Sequence, residues 1–329
     1  MTGDRRRWML LLAVVASLLI SVVPVSADYT GGTIAIAGQG TVQGDLVLTH
    51  GDSRYSGEVP PGGTYSVTFP VSLPAGATRV RNATVYLSWT WSHSGTTGTT
   101  PSLRTEVGGA VLEPVRRYED RKGHPPYDYP SGLYVYDLGT GVQAGTPLTL
   151  TVTNTATDAG VAFNGAVLVT LCEGGTDPVS YWIAEGAEMV YATEGVTPGA
   201  ATARIVIPDL PPVPAGARAT LLSVVPSGNK GKNVLSVNGR ELPGLFDGRP
   251  YPDLAINTTE VGPLLVPGSN TFALRDDGDY MVPGLFVLTI RSGTGAAPAA
   301  TTQRSPAGVT LAIGALGVAA VAARAVRPR

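Results

Sequence analysis

The sequence contains one cysteine and few charged residues. Cys172 is the only cysteine among 329 residues, so neither an intramolecular disulfide nor a thiolate metal cluster can form. We expect its side chain to be a small buried hydrophobe at the end of an apolar run. Charged residues make up 15% of the chain and sum to −2, so there is no basic field to attract nucleic acid. Stability must therefore come from packing, and we expect no nucleic-acid partner.

Long helix-forming runs are also missing from most of the chain. Instead, 42 glycines and 27 prolines separate segments rich in threonine and valine, which indicates short strands joined by tight turns. In the segment TVYLSWTW, apolar and polar residues alternate with period two, as in a half-buried strand. One predicted face of this strand carries Val85, Leu87, Trp89 and Trp91. The sequence therefore predicts an all-β fold.

The amino-terminal segment has the features of an export signal. Arg5, Arg6 and Arg7 precede an apolar stretch, and small residues end at Ala27. This pattern predicts a secretory signal peptide cleaved before Asp28, with an uncleaved amino-terminal anchor as the alternative.

The carboxyl-terminal segment predicts a membrane span. Residues 307–323 carry no charge and would extend about 26 Å as a helix, close to the hydrocarbon thickness of a bilayer. Arg324, Arg327 and Arg329 follow and are expected to stay on the cytoplasmic side. The alternative is a buried core helix. We predict a single-pass protein of the cell membrane whose amino-terminal ectodomain lies outside, raised on the flexible stalk RSGTGAAPAATTQRSP.

The region between these two ends contains an internal duplication, in which segments of the first half resemble segments of the second half. LPAGATRVRNATVYLSW is similar to VPAGARATLLSVVP, RTEVGGAVLEP to LSVNGRELPG, VQAGTPLTLTVTN to LLVPGSNTFALRD, and GAVLVTL to GLFVLTI. The repeat predicts two tandem antiparallel β-sandwiches of the jelly-roll or immunoglobulin-like kind. The predicted segments are a signal peptide (1–27), a first β-sandwich (28–175), a second β-sandwich (176–292), the stalk (293–306), a transmembrane helix (307–323) and a basic cytoplasmic tail (324–329).

The segments VAFNGAVLVTLCEG, YWIAEGAEMVY and SVNGREL follow one another in the chain. This arrangement resembles a domain family of unknown function found in exported cell-surface proteins of methanogenic archaea. The resemblance covers residues 28 to 292 and implies a cell-surface location near a carboxyl-terminal anchor, with no established activity. Such tails often carry a Pro-Gly-Phe sorting signal, whereas this chain has Ser305-Pro306-Ala307-Gly308, so we expect the span to be retained.

Two acidic segments are candidates for chemistry. In YWIAEGAEMVY, Glu185 and Glu188 lie beside aromatic residues, as in a sugar-cleaving carboxylate pair. Three residues apart on a strand, however, they point to opposite faces, so we expect a strand that links the sandwiches and no enzymatic activity. In RDDGDY, Asp276, Asp277 and Asp279 offer oxygen ligands for Ca²⁺, but the later bidentate glutamate is missing. A turn without an ion is expected there, and Ca²⁺ is the alternative.

The histidines offer no better candidate. His50, His93 and His124 lack the spacing of metal ligands, so we predict no metal site and no cofactor.

The candidate binding residues lie in the first copy. Relative to the second copy, the first contains the insertion RRYEDRKGHPPYDYPSG, which we interpret as a larger loop. Exposed aromatic rings there could stack on sugars, although paired tryptophans on one strand face more often belong to a core. If the loop binds a ligand, the residues to test first are Arg116, Arg117, Glu119, Asp120 and Tyr127.

Two segments match the N-glycosylation pattern. Asn82 and Asn257 each begin an Asn-X-Thr sequon, which an exported protein can have modified. Taken together, these features predict a membrane-anchored structural or adhesion protein of the archaeal envelope. We expect it to bind glycans or neighbouring surface proteins, and an extracellular polysaccharide-acting hydrolase is the alternative.

Overall fold

The computed structural model describes residues 33–123, 125–192, 195–248 and 254–292. The predicted signal peptide, stalk, transmembrane helix and basic tail lie outside these residues. Within them the chain is all-β, as predicted, and a single 3-10 turn at Gly262–Leu264 is the one helical segment. No described segment forms a helix with the length and apolarity that a bilayer crossing requires.

The strands run antiparallel throughout. In chain order they are β1 (Ala35–Thr49), β2 (Glu58–Val59), β3 (Thr64–Phe69), β4 (Arg79–Ser94), β5 (Thr97–Gly98), β6 (Leu103–Val107), β7 (Ala110–Leu112), β8 (Arg116–Asp120), β9 (Ser131–Gly139), β10 (Leu148–Asn154), β11 (Gly160–Glu185), β12 (Val190–Tyr191), β13 (Thr202–Leu210), β14 (Arg218–Pro226), β15 (Asn233–Val237), β16 (Arg240–Pro243), β17 (Leu254–Glu260), β18 (Gly268–Asp276), β19 (Tyr280–Met281) and β20 (Leu285–Arg291).

The 26-residue strand β11 is the centre of the largest sheet, whose order is β17-β14-β20-β11-β4-β9-β8. Its first part, 160–173, pairs with β4, and its last part, 179–185, pairs with β20. The strand β1 follows β11 through both parts, with a register shift between Gln43 and Gly44. The predicted domain boundary near Gly174-Gly175 therefore lies inside a strand, and the existence of two separate domains stays a prediction.

Two four-stranded sheets cover the large sheet and show the predicted repeat. Their orders, β3-β10-β6-β7 and β13-β18-β15-β16, contain the repeat-related strands at the same positions. We call residues 44–173 the first copy and residues 178–292 the second copy. One apolar core lies under each small sheet, around Phe69, Leu150 and Leu168 in the first copy and around Phe272 and Leu288 in the second. Each copy is thus β-sandwich-like.

A third apolar cluster joins the copies. It combines Tyr86 and Val167 of the first copy with Val224 and Val287 of the second, so the two parts of the large sheet pack face to face. The half-buried prediction for β4 is therefore wrong: Ser88 and its neighbours on the second face are covered by the other copy. Because sheets covered on both faces exclude water, polar groups between the copies must find partners within the protein.

Candidate binding surface: an exposed aromatic platform

Two large aromatic side chains are exposed at positions where the backbone is left-handed. Trp91 is 44% exposed with φ 54°, and Tyr127 is 66% exposed with φ 60°. Trp91 lies at a bulge of β4, because the residue pairs Gly160–His93 and Ala162–Thr90 leave one extra residue on β4. The extra residue interrupts the alternation of side chains between the two faces of β4. Trp89 points into the core, as predicted, but Trp91 does not, so the prediction that both lie on one face is wrong.

These rings belong to a cluster of four, which we call the aromatic platform: Trp91, His93, Tyr127 and Tyr129. The Trp91 and Tyr127 rings stack with their centroids 5.9 Å apart and their planes at 27°. Tyr129 meets both of them edge-on, at 5.8 and 6.0 Å, and the His93 ring stacks on Tyr129 at 4.3 Å. Because Tyr129 is 9% exposed, it supports the two outer rings from below.

The loop that carries Tyr127 is held by polar contacts. The Arg121 side chain donates to the Asp128 carboxylate and, at 3.0 Å, to the Asp128 carbonyl. The other Asp128 carboxylate oxygen accepts the Gly123 N–H at 2.6 Å. The Lys122 ammonium donates to the Pro126 carbonyl at 3.1 Å. The position of Tyr127 is thus set by contacts among the protein's own groups.

Only one of the five predicted binding residues belongs to the platform. Tyr127 does, whereas the stretch Arg116–Asp120, predicted as part of a loop, forms the strand β8. On one face of β8, Arg117 pairs with Glu113 at 2.8 Å and Glu119 accepts the Thr100 hydroxyl at 2.9 Å. The alternating residues on the opposite face of β8, Arg116, Tyr118 and Asp120, point toward the second copy.

That second face forms a buried polar contact around Glu185. The Glu185 carboxylate is 2% exposed and accepts hydrogen bonds from Tyr86 at 2.8 Å and from Tyr118 at 3.2 Å. The Arg116 guanidinium donates to both of its oxygens, at 2.6 and 3.0 Å. Burial and the adjacent carboxylate raise the pKa of the Tyr86 hydroxyl well above its usual value. The hydrogen bond to Glu185 likewise raises the pKa of Arg116.

This contact places the predicted carboxylate pair inside the protein. Glu185 ends β11 and Glu188, three residues later, is 3% exposed. With four hydrogen bonds from protein groups, the Glu185 oxygens are fully engaged. Nearby, the buried Asp120 carboxylate accepts the Met189 N–H at 2.7 Å. The arrangement joins the two copies rather than presenting a carboxylate to a substrate.

The predicted calcium ligands form a turn. Asp276 is fully buried and accepts N–H groups from Ala192 at 2.6 Å and from Asp279 at 3.0 Å. Burial raises the pKa of Asp276 above its usual value, and the backbone hydrogen bonds oppose that shift. Asp277 pairs with Arg275, and the Asp279 carboxylate accepts the Asn229 amide at 2.7 Å. Among the described residues, no three metal-binding side chains converge.

In the first copy, the position that corresponds to Asp276 is occupied by Asn154. Asn154 is also buried, at the end of β10, the strand related to β18 by the repeat. Its amide donates to the carbonyls of Val59 and Ala159, at 3.0 and 2.8 Å. Both copies therefore use a buried polar side chain to hold the turn that leads into their last strand.

The remaining candidates are placed as follows. Asn82 and Asn257 are half-buried on β4 and β17, and the Asn257 amide donates to the Leu245 carbonyl at 3.3 Å. Cys172 is fully buried, as predicted, and burial raises the pKa of its thiol. Burial lowers the pKa of His50. His124 lies outside the described residues.

The platform had no local sequence signal beyond its aromatic composition. A glycine at a left-handed position can be anticipated from a turn pattern, but a tryptophan there cannot. The repeat does offer one clue. When Ala83-Thr84 of β4 is aligned with Ala219-Thr220 of β14, so that each alanine faces the core of its own copy, Trp91 corresponds to Ser227. Ser227 also has a positive φ, of 62°. The left-handed position is thus a feature of both copies.

Comparison with known proteins identifies a family over nearly all of the described region. The family model described as "Protein of unknown function (DUF3344)" matches residues 28–291. The predicted resemblance to a family of unknown function is confirmed, while its link to exported archaeal proteins stays a prediction. No curated protein matches the sequence.

Several solved structures are similar at low identity. Dimeric latent PorU from Porphyromonas gingivalis is 10% identical, with a TM-score of 0.27, over 79% of this chain and 22% of that one. BuGH86 in complex with neoagarooctaose is 10% identical, with a TM-score of 0.26, over 75% and 33%. Streptomyces avermitilis α-L-rhamnosidase with L-rhamnose is 15% identical, with a TM-score of 0.20, over 78% and 28%. This chain spans a third or less of each of them.

Proposed function

Because this chain belongs to the DUF3344 family, whose function is unknown, we propose its function from geometry: it is a cell-surface adhesion protein that binds glycans through the aromatic platform. It acts in the archaeal envelope as a single-pass membrane protein with its ectodomain outside. The export signal and the membrane span predicted from the sequence support this location.

One observation carries the proposal: Trp91 and Tyr127 are exposed although both occupy left-handed backbone positions. Such positions cost about 1–3 kcal/mol each for residues other than glycine, and they cluster at binding sites. The fold itself does not demand an aromatic residue there, because Ser227 fills the repeat-related position in the second copy and is fully buried. A ligand that uses the rings accounts for the exposed tryptophan.

Carbohydrate suits the chemistry of this surface. The C–H faces of a pyranose ring pack on aromatic rings, and the tyrosine hydroxyl supplies a polar contact at the edge. The charged groups that hold the Tyr127 loop, Arg121 and Asp128, are already paired with each other. A neutral glycan therefore fits this surface better than an ionic one, because it leaves that pair intact.

Binding without catalysis is the proposal favoured over a hydrolase. Cleavage of a glycosidic bond uses two carboxyl groups that flank the sugar. Glu185 and Glu188 are both buried, and Glu185 is engaged by Arg116, Tyr86 and Tyr118. Neither carboxylate belongs to the aromatic platform.

Replacing Trp91 by asparagine tests the platform. Asparagine tolerates the left-handed backbone, so the fold is retained while the large ring is lost. We expect the full chain to lose at least about tenfold in affinity for the neutral glycans it binds on a glycan array, equivalent to about 1.4 kcal/mol. The matched control is Val206→Asn, since Val206 is 50% exposed on β13 in the second copy. Unchanged binding by Trp91→Asn, or an equal loss in the control, would contradict the proposal.

Membrane attachment is tested separately by deleting residues 307–329. The full chain is expected to sediment with membranes and to resist extraction by high salt, because an apolar span of this length partitions into the bilayer. The deleted chain should leave the membrane pellet after the signal peptide is removed. A deleted chain that still sediments with membranes would point to the uncleaved amino-terminal anchor instead.

A further inference from the structure

The strand β1 has one long open edge. It runs for 15 residues, about 50 Å, and pairs with β11 along one side. No described strand pairs with its other side. From Ala35 to Gly44 the sequence AIAGQGTVQG contains no charged residue and no proline. An edge of this kind presents backbone N–H and C=O groups that can extend the sheet with another strand.

Other edge strands of the protein carry features that oppose such pairing. The edge of β3 is covered, since the Thr68 N–H donates to the Asp52 carboxylate at 2.7 Å. In β8, four of the five residues are charged, and β13 contains Pro208 and the left-handed Asp209. The strands β7 and β16 have only three and four residues. The edge strand β17 has seven residues, fewer than half of the 15 in β1. Because β1 is the longest of these edges and its residues 35–44 lack these protections, we take its open edge as the place where a strand can add.

The exposed part of β1 is nearly palindromic. Gly38 to Gly44 reads GQGTVQG, which places Gln39 and Gln43 symmetrically about Thr41. These three polar side chains are exposed on the same face of the strand. If the β1 strand of a second chain lay antiparallel beside the first, Thr41 would oppose Thr41 of the second chain. Gln39 of each chain would then oppose Gln43 of the other. Threonine pairs and amide pairs of this kind stabilise adjacent strands.

We propose that two identical chains associate as a dimer by antiparallel pairing of their β1 edges, centred on Thr41. The contact is self-complementary, as a twofold dimer requires, because each residue pairs with its symmetry mate. The contact joins the large sheet of one chain to the large sheet of the other chain, so that the two form one continuous sheet. The surface is independent of the aromatic platform and needs no ligand there.

Cysteine cross-linking tests both the pairing and its register. In the full chain with Thr41→Cys, the two cysteines face each other at a cross-strand distance compatible with a disulfide. Mild oxidation should convert most of this variant into a disulfide-linked dimer. In Gln39→Cys the two cysteines lie four residues apart, about 13 Å, so the dimer yield should fall at least about tenfold. The native Cys172 is buried, and the unmodified chain serves as its control.

Charge exchange at the same residues gives a second readout. Gln39→Lys with Gln43→Lys opposes like charges, and sedimentation should show a monomer at concentrations where the unmodified chain is dimeric. Gln39→Lys with Gln43→Glu opposes unlike charges and should restore the dimer. Thermal unfolding of each variant shows that the fold is retained. Three results would overturn the proposal: a monomer at all concentrations, equal cross-linking at positions 39 and 41, or occupation of the β1 edge by another segment of the same chain.

Discussion

Replacing Arg116 by alanine lowers the free energy of unfolding by about 3 kcal/mol. The substitution leaves the Glu185 carboxylate 2% exposed between the two copies, with only the Tyr86 and Tyr118 hydroxyls to satisfy it. Removing one partner of a buried ion pair costs about 3–5 kcal/mol, and the lower end applies because the Arg116 side chain is 40% exposed. Denaturant unfolding followed by intrinsic fluorescence measures the change.

Arg117 provides the matched control for this prediction. It neighbours Arg116 on β8 but points the other way and pairs with an exposed glutamate, Glu113. Exposed ion pairs contribute little, so Arg117→Ala should change stability by less than about 1 kcal/mol. Equal effects of the two substitutions would show that Glu185 does not depend on Arg116.

Replacing Asp276 by alanine lowers the free energy of unfolding by about 3 kcal/mol. Its carboxylate accepts backbone N–H groups from Ala192, Gly278 and Asp279 and the Asn233 amide at 2.8 Å. Alanine leaves these donors without an acceptor at the buried end of β18, and each unsatisfied buried donor costs about 1–3 kcal/mol before local relaxation. The loss should appear in denaturant unfolding of the full chain. The control is Asp277→Ala, which removes a half-exposed partner of Arg275 and should cost less than about 1 kcal/mol.

The pH dependence of the Asp276→Asn variant adds a test with a defined sign. Burial raises the pKa of Asp276 above its unfolded value, so this carboxyl stabilises the fold most at low pH and loses that contribution as the pH rises through its folded pKa. Asparagine does not titrate. The stability of the variant relative to the wild type should therefore improve as the pH rises from about 4, the usual pKa of an aspartate, through the higher folded pKa of Asp276. A relative stability that worsens over this range would contradict the pKa shift.

The parts of the fold that sequence could predict are those with a local signal. The period of two, the Gly-Gly dipeptide in RTEVGGAVLEP, the Asn-Gly dipeptide in LSVNGRELPG and the repeated segments indicate an all-β chain with two related copies. These signals depend on residues close together in the chain. The paired positions of β6 with β7 and of β15 with β16 follow from them.

The contact between the copies has no such signal. Tyr86, Ser88 and Thr90 look like the solvent face of a strand because their side chains carry hydroxyl groups. Their burial depends on residues far along the chain: Glu185 lies 99 residues from Tyr86, and Tyr280 lies 190 residues from Thr90. Hydroxyl groups that meet partners across a packed interface cannot be told from hydrated ones by pattern alone.

The aromatic platform can be predicted only in part, for the same reason. The aromatic composition of the first copy is visible in the sequence, and Tyr127 was among the candidates. The bulge that exposes Trp91 depends on how β4 pairs with β11, which sequence spacing does not reveal. The sequence predicts a loop around Arg116. The contact that fixes Arg116 has no local signal, because its partner, Glu185, lies 69 residues away.

The long strand β11 also determines how the protein carries mechanical load. A pull on the chain after β20 acts along β20. The neighbours of β20 on its two sides, β11 and β14, run antiparallel to it. The hydrogen bonds that resist the pull are then loaded together in shear, instead of opening one after another. Since β11 continues into the first copy, tension applied at one end spreads across both copies. The arrangement therefore gives the described region resistance to unfolding by a pull directed along β20.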